Sequence, residues 1–334
     1  MSTIRDVAKE AGCSIATVSR VLSGDVDFRV TDETRQRIMN AVSKLGYRGR
    51  TRVTRRPKVG CILSITAEKY SDPFFMDILS SVEKESERIG FSMGGVKTYS
   101  ELSNPVIFRE FLDSGLNAVI LMEQVPEEML SLLRERIPII IFIDNDYDDY
   151  RFNSVGFDHK IADSEVMQCL IEKGYERIAL ISGSAPGEPL SESVRLHTYR
   201  HYLDKAKLPY NPDYVKDCVW DRNTCKEQTR ELISLKVPPD VIFAGSDTLA
   251  EAVLSALYEM NISCPGDVGV IGFNDLDAAN FMIPKLTTVS VPTEHIGKEA
   301  VRLIKEMIDG TDYPVRKVLF PTKLVERDSL RNAE

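Results

Sequence analysis

Six short runs, "VGCILSI", "AVILM", "PIIIFID", "RIALISG", "DVIFAGS" and "VGVIGFND", recur from Val59 onward and are apolar at nearly every position. A strand with one wet face alternates in polarity. One that is apolar throughout is buried on both faces, as in a parallel sheet covered by helices. Between the runs lie amphipathic stretches such as "FMDILSSVEKESERIG", "EEMLSLLRER" and "TLAEAVLSALYEMN". Strand–helix alternation of this length predicts two doubly wound α/β sheets. Ligands of such sheets sit beyond the carboxyl ends of the strands, and a cleft between two facing sheets is the default site.

The first 47 residues follow another rule. In "TIRDVAKEAG", Thr3 is placed to cap a helix whose apolar stripe is Ile4, Val7, Ala8 and Ala11, and Gly12 supplies the left-handed residue that ends it. Ser14 caps a second helix with Ile15, Val18, Val21 and Leu22 as its predicted inward stripe. A third segment, "TDETRQRIMNAVSKLGY", starts at Thr31 and buries Ile38, Val42 and Leu45. Two short helices joined through a glycine turn and closed by a third make a helix-turn-helix head. In such a head the second helix enters the DNA major groove, which nominates Ile15, Ala16, Thr17, Ser19 and Arg20. Arg20 can fork to a guanine, Ala16 and Ile15 can meet thymine methyls, and Thr17 and Ser19 can bond phosphates or bases. A plain helical hairpin with a solvated arginine is the alternative.

Charge separates the two. The chain carries a net charge of −9, yet residues 1–58 hold 13 Lys/Arg against 6 Asp/Glu, a balance of +7, which leaves −16 for the remainder. A basic head on an acidic body points to a polyanion touched by the head alone. The six cysteines are scattered without a C-x-x-C pair and read as reduced thiols. The four histidines show no metal spacing, so no metal and no cofactor is expected. No G-x-G-x-x-G, Walker loop or G-x-S-x-G elbow is present, and no catalytic constellation can be assembled. The charged N-terminus lacks the apolar stretch of an export signal and no run is long enough to span a membrane, which predicts a cytoplasmic protein.

"TIRDVAKEAGCSIATVSRVLSG" followed by "VTDETRQRIMNAVSKLGY" resembles the headpiece of the lactose/galactose repressor family of bacterial transcription regulators. The resemblance places Ile15, Ala16 and Arg20 where members read bases, and Thr3, Ser14 and Arg29 complete the DNA-binding candidates of the head. The linker "RGRTRVTRRPK" departs from the family. It lacks the Pro-Asn, Ala and Leu of the usual hinge helix, and Arg56 stands where the groove-wedging leucine would be. Arg52, Val53 and Arg56 are its candidates, arginines reading minor-groove width in place of a leucine kink.

The body resembles the same family, and with it sugar-binding periplasmic proteins, through "SDPFFMDIL", "IEKGYERIALISG", "SDTLAEAVLSAL", "VGVIGFNDLD" and "PKLTTVSVP". The implied fold is α/β: a three-helix head plus two doubly wound parallel-sheet subdomains of periplasmic-binding-protein type. The implied division is 1–47 head, 48–58 linker, 59–158 plus 289–320 first effector subdomain, and 159–288 plus 321–334 second. The implied effector residues are Tyr70, Asp72, Phe74, Asp158, Arg195, Trp220, Asp221, Ser246, Asp247 and Asn274, with Trp220 and Asp221 ending a strand. Asp and Asn suit vicinal hydroxyls, Arg forks two of them, and Trp stacks on an apolar sugar face. Each has a plainer alternative: Asp247 as a helix N-cap, Phe74 as core, Arg195 as a solvated charge, Trp220 as packing. Ser246 and Asn274 stand where the lactose repressor has Asn and Asp, so its inducer specificity need not transfer. The resemblance implies a ligand-controlled DNA-binding regulator. Its partners are a pseudo-palindromic double-stranded operator, a second copy of the chain (no leucine heptad for a tetramer follows) and a small effector, a sugar and more narrowly a galactoside. A nucleoside or a phosphorylated co-regulator is the other effector class. A transporter's solute-binding protein and a sugar-modifying enzyme share the body fold but leave the basic head unexplained.

Overall fold

The computed structural model describes residues 3–23, 28, 30–45, 47, 56–63, 72–123, 125–144, 151–184, 189–310 and 314–332. The chain forms two compact units, Met1–Arg56 and Pro57–Glu334.

Among its described residues the first unit forms three helices, α1 (Ile4–Ala11), α2 (Ile15–Ser23) and α3 (Asp32–Lys44). Thr3 and Asp6 form a reciprocal capping box at the start of α1, and Gly12 closes it at φ +62°. Ser14 Oγ accepts from Thr17 N at 3.0 Å and Thr31 Oγ1 accepts from Thr34 N at 3.3 Å, so both later helices have the caps read from the sequence. Val7, Ala8, Ala11, Val18, Val21, Ile38 and Ala41 are buried together, and Lys44 ties α3 to Glu10 of α1 at 2.6 Å. Ile15 departs from the expected inward stripe. It is 46% exposed, because at the first position of α2 it lies about a quarter of a turn from the direction midway between Val18 and Val21.

The second unit holds two parallel sheets. The first has the order β11-β5-β4-β3-β1-β2, built from β1 (Lys58–Leu63), β2 (Ser92–Thr98), β3 (Ala118–Met122), β4 (Ile139–Ile143), β5 (Asn153–Phe157) and the late strand β11 (Lys317–Phe320). The second has the order β7-β6-β8-β9, from β6 (Ile178–Ser182), β7 (Val215–Asp217), β8 (Val241–Ala244) and β9 (Gly269–Ile271). Each sheet places its second strand outside its first, so the strand order reverses between β1 and β3 and again between β6 and β8. β3, β4, β6, β8 and β9 are buried at every position, as their continuous apolarity requires.

Helices cover the sheets: α4 (Pro73–Arg88), α5 (Tyr99–Leu102), α6 (Pro105–Leu112), α7 (Glu127–Arg136), α8 (His159–Glu172), α9 (Val194–Lys205), α10 (Arg222–Ile233), α11 (Asp247–Glu259) and α12 (Thr293–Ile308). α12 lies tightly on α4, since a Cβ on Gly297 would fall 2.8 Å from the Ile78 carbonyl and 2.7 Å from Ser81 Cβ. After the second sheet the chain pairs β10 (Thr288–Ser290) antiparallel with β12 (Lys323–Val325), adds β11 to the first sheet beside β5, and returns to bond Ser329 with Val270 of β9. Among the described residues, no helix is long and apolar enough to cross a membrane.

Candidate functional site

In the head, Ile15, Ala16, Ser19 and Arg20 are exposed along one side of α2, opposite the buried Val18 and Val21. Their spacing of three and four residues gathers them into one stripe. The Arg20 guanidinium stands 5.1 Å over the Phe28 ring, a cation–π contact that restrains the side chain. Thr17 is half-buried with its hydroxyl 2.9 Å from that of Ser14, and the Thr3 hydroxyl is engaged with Asp6 at 2.8 Å. Both hydroxyls therefore serve helix starts in this structure. Arg56 is exposed, whereas Arg29, Arg52 and Val53 lie outside the described residues, as does Tyr70 of the body.

In the body, the strand ends bring several candidates together. Arg195, near the start of α9, donates from Nη1 to the Gly245 carbonyl at 2.9 Å and from Nε to Asp163 Oδ1 at 2.9 Å. Its guanidinium lies 4.6 Å from the Phe273 ring centre and 5.4 Å from that of Phe243. Nη2 has no hydrogen-bond partner among the described residues. Gly245 follows β8 directly and must be glycine, since a Cβ there would meet Ser182 Oγ at 2.5 Å and Arg195 Nη1 at 2.8 Å. Next along β6, a Cβ on Gly183 would lie 2.4 Å from Trp220 Cδ1, so the indole packs on bare backbone. Trp220, Gly183, Ser182, Gly245 and Arg195 thus form one continuous path across the β6/β8 reversal.

Asn274 follows β9 at φ +109°, and its carboxamide makes no hydrogen bond among the described residues. Asp247 is fully buried. Its Oδ1 accepts from the Thr288 hydroxyl at 2.5 Å and its Oδ2 from Leu276 N at 2.7 Å, joining α11 to the β10 crossover. Burial pushes its carboxyl up to about 7 against the pull of those two donors, with Asp275 and Asp72 adding repulsion. Asp72 follows the first sheet's leading strand, so its charge reaches across to the second sheet. Phe157, at the end of β5, stacks 5.8 Å from Phe273, and His159 beside it bonds Asp144 at 2.8 Å.

Other candidates do plainer work. Ser246, not Asp247, is the N-cap of α11, accepting from Leu249 N at 3.2 Å, and Asp247 is the first helical residue. Trp220 and Asp221 do not end a strand. β7 stops at Asp217, Val219 and Trp220 take left-handed conformations, and Asp221 caps α10 through Thr224. Those two short bonds hold the Asp221 carboxyl below the usual carboxylate range. Asp72 and Asp158 cap α4 and α8. Phe74 is 3% exposed and packs edge-on against Phe75 at 5.1 Å, which makes it core. Sequence reasoning missed Asp163, Phe273 and Thr288. Asp163 did leave a signal: it sits three and four residues before Val166 and Met167, a carboxylate on the apolar face of its helix. Among the described residues no cluster of His, Cys, Asp and Glu could hold a metal ion.

Residues 3–49 match the bacterial regulatory proteins of the lacI family, and residues 167–330 match the periplasmic binding protein-like domain. The chain joins a lacI-family head to a periplasmic binding protein-like body. With that head and body it is a DNA-binding transcription regulator. It is 28% identical over 345 residues to the HTH-type transcriptional repressor MelR of Bacillus subtilis, covering 98% of this chain and 97% of that one. It also matches the solved transcriptional regulator CelR–cellobiose complex at TM-score 0.73 and 26% identity, over 98% of this chain and all of the other. A lac repressor dimer bound to operator and the anti-inducer ONPF has the same fold, at TM-score 0.76, 21% identity and 99% coverage of each chain.

Proposed function

We propose that this protein represses a sugar-utilisation operon. Two heads of a homodimer occupy the half-sites of a pseudo-palindromic operator, and a sugar held at the strand ends of the body changes their affinity. The observation that carries the effector assignment is the β6/β8 reversal. There the Arg195 guanidinium lies 4.6 Å over the Phe273 ring, and among the described residues neither its Nη2 nor the Asn274 carboxamide has a hydrogen-bond partner, with the only tryptophan of the sequence nearby. Spare donors and acceptors beside aromatic faces suit a hydroxylated ring. The similarity to a regulator solved with cellobiose supports the same class. A galactoside is the narrower candidate, resting on the resemblance of "FIDNDYDDYRFNSVGFDH" and "VLFPTKLVERDSL" to galactoside-responsive members.

We assign residues 1–47 to the head, 48–58 to the linker, and 59–158 with 289–320 and 159–288 with 321–334 to the two effector subdomains. Membership of the two sheets supports the last division. Ligand that binds one arrangement of the subdomains better than another shifts DNA affinity by that difference. The base-reading residues are Ile15, Ala16, Ser19 and Arg20. The test is an operator selection on the purified protein at fixed salt, with and without a panel of neutral sugars. A two-fold symmetric site released by one sugar supports the proposal. A symmetric site that ignores every sugar refutes the effector assignment and leaves DNA recognition standing.

A further inference from the structure

Asp163 bears on which charge the effector site accepts, and this deepens the effector assignment just made. It lies on the inner face of α8 and is completely buried. One of its oxygens takes Arg195 Nε, and the other has no hydrogen-bond partner among the described residues. A carboxylate so placed depends on the guanidinium for its stability, so the charge of Arg195 is committed inside the protein. With Nε given to Asp163 and one Nη1 proton to Gly245, Arg195 has lost the fork that includes Nε, and the N–H groups left at Nη1 and Nη2 belong to a guanidinium whose charge Asp163 already balances. The remaining N–H groups suit the hydroxyls of an uncharged ligand.

Among the described residues, the charges that act on Asp247 and Asp77 are mostly acidic. Arg327 is bonded to Asp275 at 2.7 Å. The charges of Asp275 and Asp72 converge on Asp247, and those of Asp277 and Asp72 on Asp77, with Lys84 alone opposing at Asp77.

We infer that Asp163 is a specificity-determining residue: by pairing with Arg195 it makes the site take an uncharged polyhydroxylated ligand and reject the phosphate ester of the same ligand. The full chain and its Asp163→Asn variant are titrated with neutral mono- and disaccharides, their phosphate esters and inorganic phosphate, by thermal shift and calorimetry. In the wild type a neutral sugar raises the melting temperature and its phosphate ester does not. In Asp163→Asn, affinity for the ester or for inorganic phosphate rises about tenfold or more, a change of about 1.4 kcal/mol. Asp163→Glu, which keeps the charge, keeps the rejection.

A wild type that binds an ester as tightly as the neutral sugar overturns the inference but leaves a sugar effector in place. A neutral nucleoside that binds in place of every sugar overturns the sugar assignment while the charge rule stands. No gain for any phosphate in Asp163→Asn also overturns the inference. Should that variant fail to fold, the wild-type comparison of sugar with ester decides alone.

Discussion

Replacing Asp247 by Asn is expected to level the pH dependence of the body's stability across the weakly acidic range. In the folded body, burial is the main force holding the Asp247 carboxyl at about 7 against an ordinary 3.8, while the Thr288 hydroxyl and Leu276 N–H oppose it. A proton bound more tightly in the folded chain than in the unfolded one favours folding. That contribution is complete below the unfolded value and is lost as pH rises through about 7. From 3.8 to about 7 the loss amounts to roughly 4 kcal/mol. In a body of this size that lowers the melting temperature by about 8 °C. Asn can keep both contacts, its oxygen accepting from Leu276 N and its amide donating to Thr288 Oγ1, without carrying a charge. Differential scanning calorimetry of both proteins from about pH 4.5 to pH 8 reads the effect, because other titrating groups cancel in the difference. The wild type should lose ground steadily to Asp247→Asn as pH rises. Parallel curves would refute the reasoning, since they would mean that the buried carboxyl titrates alike in the folded and unfolded chains.

Three further outcomes are expected. Arg20→Ala should cost about 1–3 kcal/mol of operator binding and relax preference at one base pair, read by selection on randomised sites. An equal loss on all sequences would make Arg20 a phosphate contact. Ile38→Ala, at the centre of the head's small core, should cost about 2–5 kcal/mol and abolish operator binding in a mobility-shift assay, while the calorimetric transition of the body stays where it was. Gly245→Ala should push against Arg195 Nη1 and Ser182 Oγ, weakening effector affinity about tenfold or more by calorimetry with operator affinity unchanged.

Features that depend on neighbours a few residues away were legible in the sequence. The caps at Thr3, Ser14 and Thr31 each act on a backbone N–H three residues on, and the glycine at 12 ends its helix through its own φ. The six buried strands showed themselves through unbroken apolarity, and the exposed face of α2 through helical spacing. Misreadings fell where two local roles compete for one residue. Ile15 is apolar yet stands at a helix start that faces outward. Ser246 and Asp247 are both good caps, and only the approach of Thr288 and Leu276 drew Asp247 inward and left Ser246 the cap.

By itself, then, the sequence determined the kinds of unit in this chain: a basic three-helix head, and a body of doubly wound sheets. Both follow from local periodicity and composition, which act along a few turns of chain. The electrostatic character of the site was decided only by tertiary structure. Arg195 meets Asp163 from 32 residues away, Asp247 meets Thr288 from 41 away, and Phe157 reaches Phe273 from the other sheet. Buried ionic and polar groups keep their charge or lose it according to which partners the fold brings within hydrogen-bonding distance, and no spacing along the chain specifies those partners.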